Sequence, residues 1–369
     1  MDVRELTVAD AEQARSLGEG IFGAPPPALS SQGGLTWFGA FDGHTLVAQA
    51  IDREYDSWFG GVAVPTSGIA YVGVSEPYRG QGLVRAVVDA AVSSAAERRG
   101  ALISTLFPAP PRVYRGLGYE RITDQIFVTL PAEALTGLKA SASASTRDAT
   151  VDDVPAIHAV YDEWASAQNG PLTRTGPLFT GLDPLETTIA ADTAGRVTGY
   201  ASYRRDDSDT LQVLDLIAVE ADAHRALLGS LSSAQTITLR TSGDDPVRLM
   251  LPSSDWQVTS STPYMLRVLQ IDSAVSRRTY PPGINAELAF GVSDEGHRLS
   301  VHGGAGLCEP SDAADGRMFT PQGVASLYAG AQSCANLRFT GNLHGGDPGE
   351  DAIWDALFGG RQPHIRDYF

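Results

Sequence analysis

Cysteine, lysine and long apolar runs are all scarce in this 369-residue chain, and each scarcity removes a class of explanation. The two cysteines, Cys308 and Cys334, stand outside any Cys-x-x-Cys or Cys/His ligand spacing. Neither a metal site nor a disulfide framework is therefore expected, and a reducing compartment is. Lys139 is the single lysine, so nearly all the positive charge is arginine. Against 27 basic side chains stand 44 acidic ones, a formal net charge of −17. A surface that negative repels phosphate backbones and anionic bilayers and attracts cations. No run reaches the roughly 18 apolar residues of a membrane span. The start, Met1-Asp2-Val3-Arg4-Glu5-Leu6, lacks the basic-then-apolar pattern of a signal peptide. The expectation is a soluble, cytoplasmic, bacterial protein without nucleic-acid or membrane partners.

Hydrophobic residues make up 43% of the chain and charged residues 19%, enough apolar material for sizeable cores. The pattern predicts an α/β chain in three parts, 1–138, 139–265 and 266–369. In the first, a helix runs from Asp10 into Ile21-Phe22. A loop carries Pro25-Pro26-Pro27 and Ser30 to Gly34, and Asp42-Gly43 turns a hairpin between Trp37–Phe41 and Thr45–Ile51. Ile69–Val74 reads as a buried strand. Leu83, Val87, Ala91 and Ala95 place a core-facing stripe on a helix from Leu83 to Arg99. Strands at Ala101–Phe107 and Ile126–Leu130 flank a short helix, Val113–Leu117. The small, polar run Ala140–Ser145 is the linker candidate.

The pattern then restarts as a weak internal repeat. A helix is expected near Ile157–Ala167, with strands at Val197–Tyr203, Leu211–Val219 and Val247–Leu251. The third part has expected strands at Leu266–Ile271, Ala286–Val292 and Leu299–His302, a helix over Thr320–Ala331, and a tail whose Ile365 and Tyr368 suggest docking.

The chemistry is concentrated in Val72-Gly73-Val74-Ser75-Glu76-Pro77-Tyr78-Arg79-Gly80-Gln81-Gly82-Leu83-Val84-Arg85. It reads as strand, turn, glycine-rich loop and helix start. First-turn N–H groups lack intrahelical partners, and the helix dipole adds positive potential there. Gly80 and Gly82 let a pyrophosphate approach those donors, with Arg79 and Arg85 beside them. The run contains no GxxxxGK[ST] and no GxGxxG, which excludes the P-loop and dinucleotide readings. His302-Gly303-Gly304 has no GxSxG partner, so a hydrolase is not indicated.

Arg79-x-x-Gly82-x-Val84 resembles the acyl-CoA motif [RQ]xxGx[GA] of the GNAT N-acetyltransferases, with Val84 as a departure. Tyr114-Arg115-Gly116-Leu117-Gly118-Tyr119 resembles that superfamily's YxxxG[FY] element. With Pro65-Thr66-Ser67-Gly68-Ile69 and the terminal Asp367-Tyr368-Phe369, the chain resembles the Eis-type acetyltransferases. That resemblance implies tandem GNAT domains, the second degenerate, followed by a sterol-carrier-protein-like α+β domain. It also implies a homohexamer using acetyl-CoA to acetylate a primary amine on a small cationic molecule or a lysine. By the same resemblance, Tyr114 is the general acid and the terminal carboxylate of Phe369 the base. Val72, Gly73 and Val74 would hold the pantetheine arm, and Arg79, Gly80, Gln81, Gly82, Leu83, Val84 and Arg85 the pyrophosphate. The family's Ser-containing loop is replaced by Pro108-Ala109-Pro110-Pro111, and Phe22-Gly23-Ala24-Pro25 carries none of the acids that serve aminoglycoside acceptors. The rival reading is a non-enzymatic lipid or sterol carrier using the GNAT domains as scaffold.

Overall fold

Local signals build the first part much as the pattern predicts. β1 (Asp2–Glu5) leads into α1 (Ala11–Phe22), and β2 (Leu35–Asp42) and β3 (Thr45–Phe59) form the hairpin about Asp42-Gly43. β4 (Val62–Val74) enters the glycine-rich loop, α2 (Leu83–Arg99) ends at Gly100, and β5 (Ile103–Leu106), α3 (Pro111–Arg115) and β6 (Glu120–Pro131) follow. The computed structural model describes residues 1–24, 26–29, 33–135, 138, 143–179, 186–206, 210–243, 245–251, 255–312 and 316–369. Pro25, Ser30, Ser31 and Gln32 of the expected loop, and Ala140, Ser141 and Ala142 of the expected linker, lie outside the described residues.

The second part contains β7 (Ala144–Asp148), α4 (Val154–Ser166), β8 (Glu186–Asp192), β9 (Val197–Arg205), β10 (Thr210–Ala218), α5 (Ala221–Ser230), β11 (Thr236–Ser242), α6 (Val247–Met250) and β12 (Gln257–Val268). The repeat is visible in detail at its start. Arg4 pairs with Asp10 at 2.7 Å beside Thr7, and Arg147 pairs with Asp153 at 2.7 Å beside Thr150. In each copy the threonine and aspartate close a reciprocal cap on the first turn.

Two expectations are corrected here. Val247–Leu251 is a helical turn rather than a strand, because the Val247 N–H donates to Asp245 Oδ1 at 2.9 Å and Pro246 favours a helix start. Leu266–Ile271 contains only the end of β12, and α7 (Ile271–Arg277) begins where a strand was expected to finish. β11, a threonine-rich strand, was not anticipated.

The main sheet has twelve strands in the order β1-β2-β3-β4-β5-β12-β6-β11-β10-β9-β8-β7. β6 pairs with β11 and β12 pairs with β5, so each half takes its sixth strand from the other. β6 and β12 pair with each other at the centre. The boundary expected at 265/266 falls inside β12.

In the third part, β13 (Ala286–Val292), β14 (Glu295–His302), β15 (Ala305–Pro310), β16 (Met318–Phe319) and β17 (Leu343–His344) form a five-stranded sheet. α8 (Pro321–Ala329), α9 (Cys334–Phe339) and α10 (Asp351–Phe358) complete it. Its core is continuous with both earlier parts, joining Phe59 and Val64 of the first and Tyr264 of β12 to Phe290, Phe319, Tyr328 and Trp354. Buried guanidiniums of Arg278 and Arg317 are bonded to the Tyr328 carbonyl and the Asp351 carboxylate. Among the described residues, no helix is long and apolar enough to cross a membrane.

Candidate active site

β4 pairs in parallel with β5 only from Thr66↔Ile103 to Ile69↔Leu106. Beyond Ile69 the two strands part. A bulge accompanies the parting: Ala70 faces Ile51 while Gly73 faces Gln49, and Tyr71 between them sits at φ +49°. Such a conformation is costly for a residue with a Cβ and concentrates at functional sites. Among the described residues, Gly73 and Val74 have strand partners only on the β3 side, and Val72, at the bulge, has no registered partner, so the edge of all three away from β3 is open.

The loop that follows is shaped by Gly80 at φ +77° and Gly82 at φ +78°, both with open space where a Cβ would stand. The Ala86 N–H is the first to find a helical acceptor, Gly82 O at 3.1 Å. The N–H groups of Leu83, Val84 and Arg85 precede it in the first turn and are left for a ligand. Arg79 is exposed, whereas the Arg85 guanidinium donates to Gly116 O at 2.5 Å and lies 3.9 Å from Asp89. Arg85 therefore ties the loop to the turn after α3.

That turn presents Tyr114. Its carbonyl accepts from Leu117 N at 2.9 Å and Tyr119 N at 3.1 Å, with Gly118 at φ +89° closing the turn. The ring is buried with Ile69, Val88, Leu106 and Met265, and meets Tyr119 edge-on at 6.2 Å. Burial pushes the Tyr114 phenol up to about 12, so it carries its proton at neutral pH. The Tyr119 hydroxyl is committed to Ser104 at 2.6 Å.

The tail docks across both halves of the sheet. Ile365 is buried, and Gln125 Nε2 donates to the carbonyls of Arg366 at 3.1 Å and Asp367 at 3.0 Å. The Asp367 carboxylate accepts from Arg174 Nε at 2.9 Å, and the same guanidinium grips Asp215 with its other nitrogens at 2.5 and 3.0 Å. Arg366, 1% exposed, donates to Asp245 Oδ2 at 2.5 Å. Burial favours the protonated acid, but the Arg366 charge, helped by His364 and Thr241, holds Asp245 well below the ordinary carboxylate range. Tyr368 packs on Phe107 at 4.6 Å, and Phe369 lies 5.0 Å from Tyr55 and 5.5 Å from Phe107. The terminus is thus fixed beside the residue that follows Leu106, and Leu106 itself packs in the Tyr114 cluster. Arg174, Asp215, Asp245, Gln125 and Arg366 escaped the sequence reading, since nothing local marks a side chain whose partner lies 41 to 242 residues away.

In the second half the equivalent place is closed. β10 and β11 pair in parallel from Thr210↔Thr236 to Val213↔Leu239, the same four-residue length. Where they part, the Arg366 guanidinium bonds the carbonyls of Arg240 and Leu216. At the start of α5, Glu220 pairs with Arg196 at 2.5 Å and Asp222 with Arg225 at 3.0 Å.

Family models agree with this duplicated architecture. Residues 2–122 match an acetyltransferase (GNAT) domain, 164–268 a second acetyltransferase (GNAT) domain, and 271–366 a sterol carrier protein domain. Tandem GNAT domains followed by a sterol-carrier-like domain are therefore borne out. The chain is 28% identical over 352 residues to N-acetyltransferase Eis of Mycobacterium tuberculosis, a match spanning 88% of this chain and 86% of that one. It is 28% identical over 422 residues to an uncharacterized N-acetyltransferase of Streptomyces griseus, across 100% of both. A solved GCN5-related N-acetyltransferase from Kribbella flavida has a TM-score of 0.83 at 26% identity, covering 100% of this chain and 98% of that one.

Proposed function

Since the chain is a GNAT-type N-acetyltransferase, we propose that it is of the Eis type and moves acetyl from acetyl-CoA to a primary amine of a small cationic molecule or a lysine. The observation that carries this reading is the open edge of β4 running directly into an unpartnered first helical turn, beside a buried, protonated tyrosine. Val72, Gly73 and Val74 offer their free edge to the amides of the pantetheine arm, as an added strand would take it. The N–H groups from Gly80 to Arg85, with Arg79, receive the pyrophosphate.

The neutral amine attacks the thioester carbonyl, and the carbon–sulfur bond breaks as the tetrahedral intermediate collapses. Tyr114 donates its proton to the departing thiolate, and the Phe369 carboxylate accepts the amine proton, directly or through water. An α-carboxyl is intrinsically a weak base, so its contribution depends on being held in place. Gln125, Arg174 and the Asp245–Arg366 pair do that holding. The net charge of −17 favours cationic acceptors.

In this reading, residues 1–138 do the chemistry, 139–265 brace the sheet and tail, and 266–369 deliver the terminus. The working form is a cytoplasmic homohexamer. The carrier alternative needs an apolar tunnel, and the interior of the third part is filled by Trp354, Phe290, Phe319 and buried arginines. Thermal-shift titration tests the choice. Acetyl-CoA is expected to raise Tm, and a rise with fatty acid or sterol alone would reverse the conclusion.

A further inference from the structure

Spacing along the chain argued against a metal site, yet the fold gathers three donors that the sequence keeps apart. β14 and β15 are antiparallel with Leu299 opposite Cys308. His297, two residues from Leu299, therefore shares a sheet face with Cys308. α7 packs against β15 and brings Asp272 to the same place from its first turn. His297 Nδ1 lies 2.8 Å from Asp272 Oδ1, and the Cys308 Sγ–H donates to the same oxygen at 3.3 Å. One donor atom from each of the three residues lies within 4.8 Å of the other two. We propose that Asp272, His297 and Cys308 form a binding site for a zinc-class divalent cation in the C-terminal part of the protein.

The donor set suits that class. A thiolate and an imidazole select borderline-soft ions over magnesium or calcium. Bonds of roughly 2.0–2.3 Å from a tetrahedral ion place its ligands about 3.3–3.8 Å apart. The donor atoms here are 2.8, 3.3 and at most 4.8 Å apart, so shifts of about 1 Å or less bring them to that spacing. Two of the three are already held by another contact. The Cys308 N–H donates to Ser276 Oγ at 2.7 Å, one helical turn beyond Asp272, and the His297 ring stacks on Phe290 at 5.1 Å. Such supporting contacts are what orient a metal's ligands. Cys308 and His297 are buried, while the Asp272 side chain is 30% exposed, leaving an approach for the ion and a place for a water as fourth ligand.

Charge and protons balance simply. The carboxylate and the thiolate together neutralise a dication. Cys308 gives up one proton to solvent as the metal–sulfur bond forms, and the imidazole proton moves from Nδ1 to Nε2, so one proton leaves per ion bound. Cys334, the other buried cysteine, has the Asp355 carboxylate beside it but joins no such His-containing group among the described residues.

Cobalt(II) provides the direct probe, titrated into the tag-free, reduced, chelator-dialysed full-length protein. One equivalent is expected to bind, with a near-ultraviolet thiolate-to-cobalt charge-transfer band, visible tetrahedral bands and displacement by zinc. The charge-transfer band should vanish in Cys308→Ser and persist in Cys334→Ser. Asp272→Asn, whose folding is checked by its urea midpoint, should weaken binding at least roughly tenfold. A titration without spectral change would mean a hydrogen-bonded triad only, and a band that survives Cys308→Ser would mean adventitious cobalt. Either result overturns the proposal.

Discussion

The two halves of the long sheet begin with the same capped turn and reach the same parting of parallel strands, and there they diverge. In the first, the gap after Ile69 and Leu106 opens onto a glycine loop and a free helical turn. In the second, the gap after Val213 and Leu239 is filled by Arg366, and acids stand at the helix start. One scaffold thus carries an open wedge and a plugged one. The lesson is that the fold supplies a wedge, and the side chains around it decide its use. The plug also serves the open half, because Arg366 that fills one wedge fixes the terminus near the other.

The largest expected effect tests the open half. Tyr114→Phe removes the proposed proton donor and should lower kcat about 100- to 1000-fold, with acetyl-CoA affinity almost unchanged. Steady-state kinetics beside a calorimetric Kd would expose a fully active variant, which would remove Tyr114 from the chemistry. Arg366→Met tests the plugged half. It strands the Asp245 carboxylate in the interior and should cost about 3–5 kcal/mol of stability, read from urea midpoints. A wild-type midpoint would mean that the plug bears no structural weight.

A subtler exchange makes the first loop resemble the second. Gly82→Asp brings a like charge and a Cβ to the proposed diphosphate position, at a φ that disfavours side chains, and should weaken acetyl-CoA binding about tenfold or more. Asp222→Asn in the second half should leave that Kd unchanged. Appending one glycine after Phe369 displaces the terminal carboxylate and should reduce kcat about tenfold at constant acetyl-CoA affinity. Equal activity would move the base elsewhere.

The smallest effect is a pH dependence. Tyr114 holds its proton up to about 12, against about 10 for a free tyrosine. The acid form therefore persists through the working range, and no alkaline loss of kcat below about pH 10 should trace to it. Between those values the unfolded chain releases a proton that the folded chain keeps, so stability falls as pH rises. That decline should be shallower in Tyr114→Phe.

Short-range features were legible because their signal lies within a few residues. The α2 stripe, the Gly80–Gly82 loop and the Asp42-Gly43 turn each follow from local dihedral preference and periodicity. The stretch at Val247–Leu251 misled because four apolar side chains in five residues fit a short strand as well as a helical turn. The Asp245 cap settled it for the helix. β11 was missed because Thr-Ile-Thr-Leu-Arg-Thr-Ser carries few apolar positions, and its burial comes from neighbours on both sides.

By itself, then, the sequence determined the duplicated α/β pattern, the strand–loop–helix that suits a diphosphate, and the tyrosine that follows it. All of these are written in contiguous residues. Tertiary structure alone decided that β6 and β12 change halves, that Arg366 fills the second wedge, and that Asp272, His297 and Cys308 converge. Those outcomes depend on which distant surfaces bury best together, a sum over the whole chain that no local window contains.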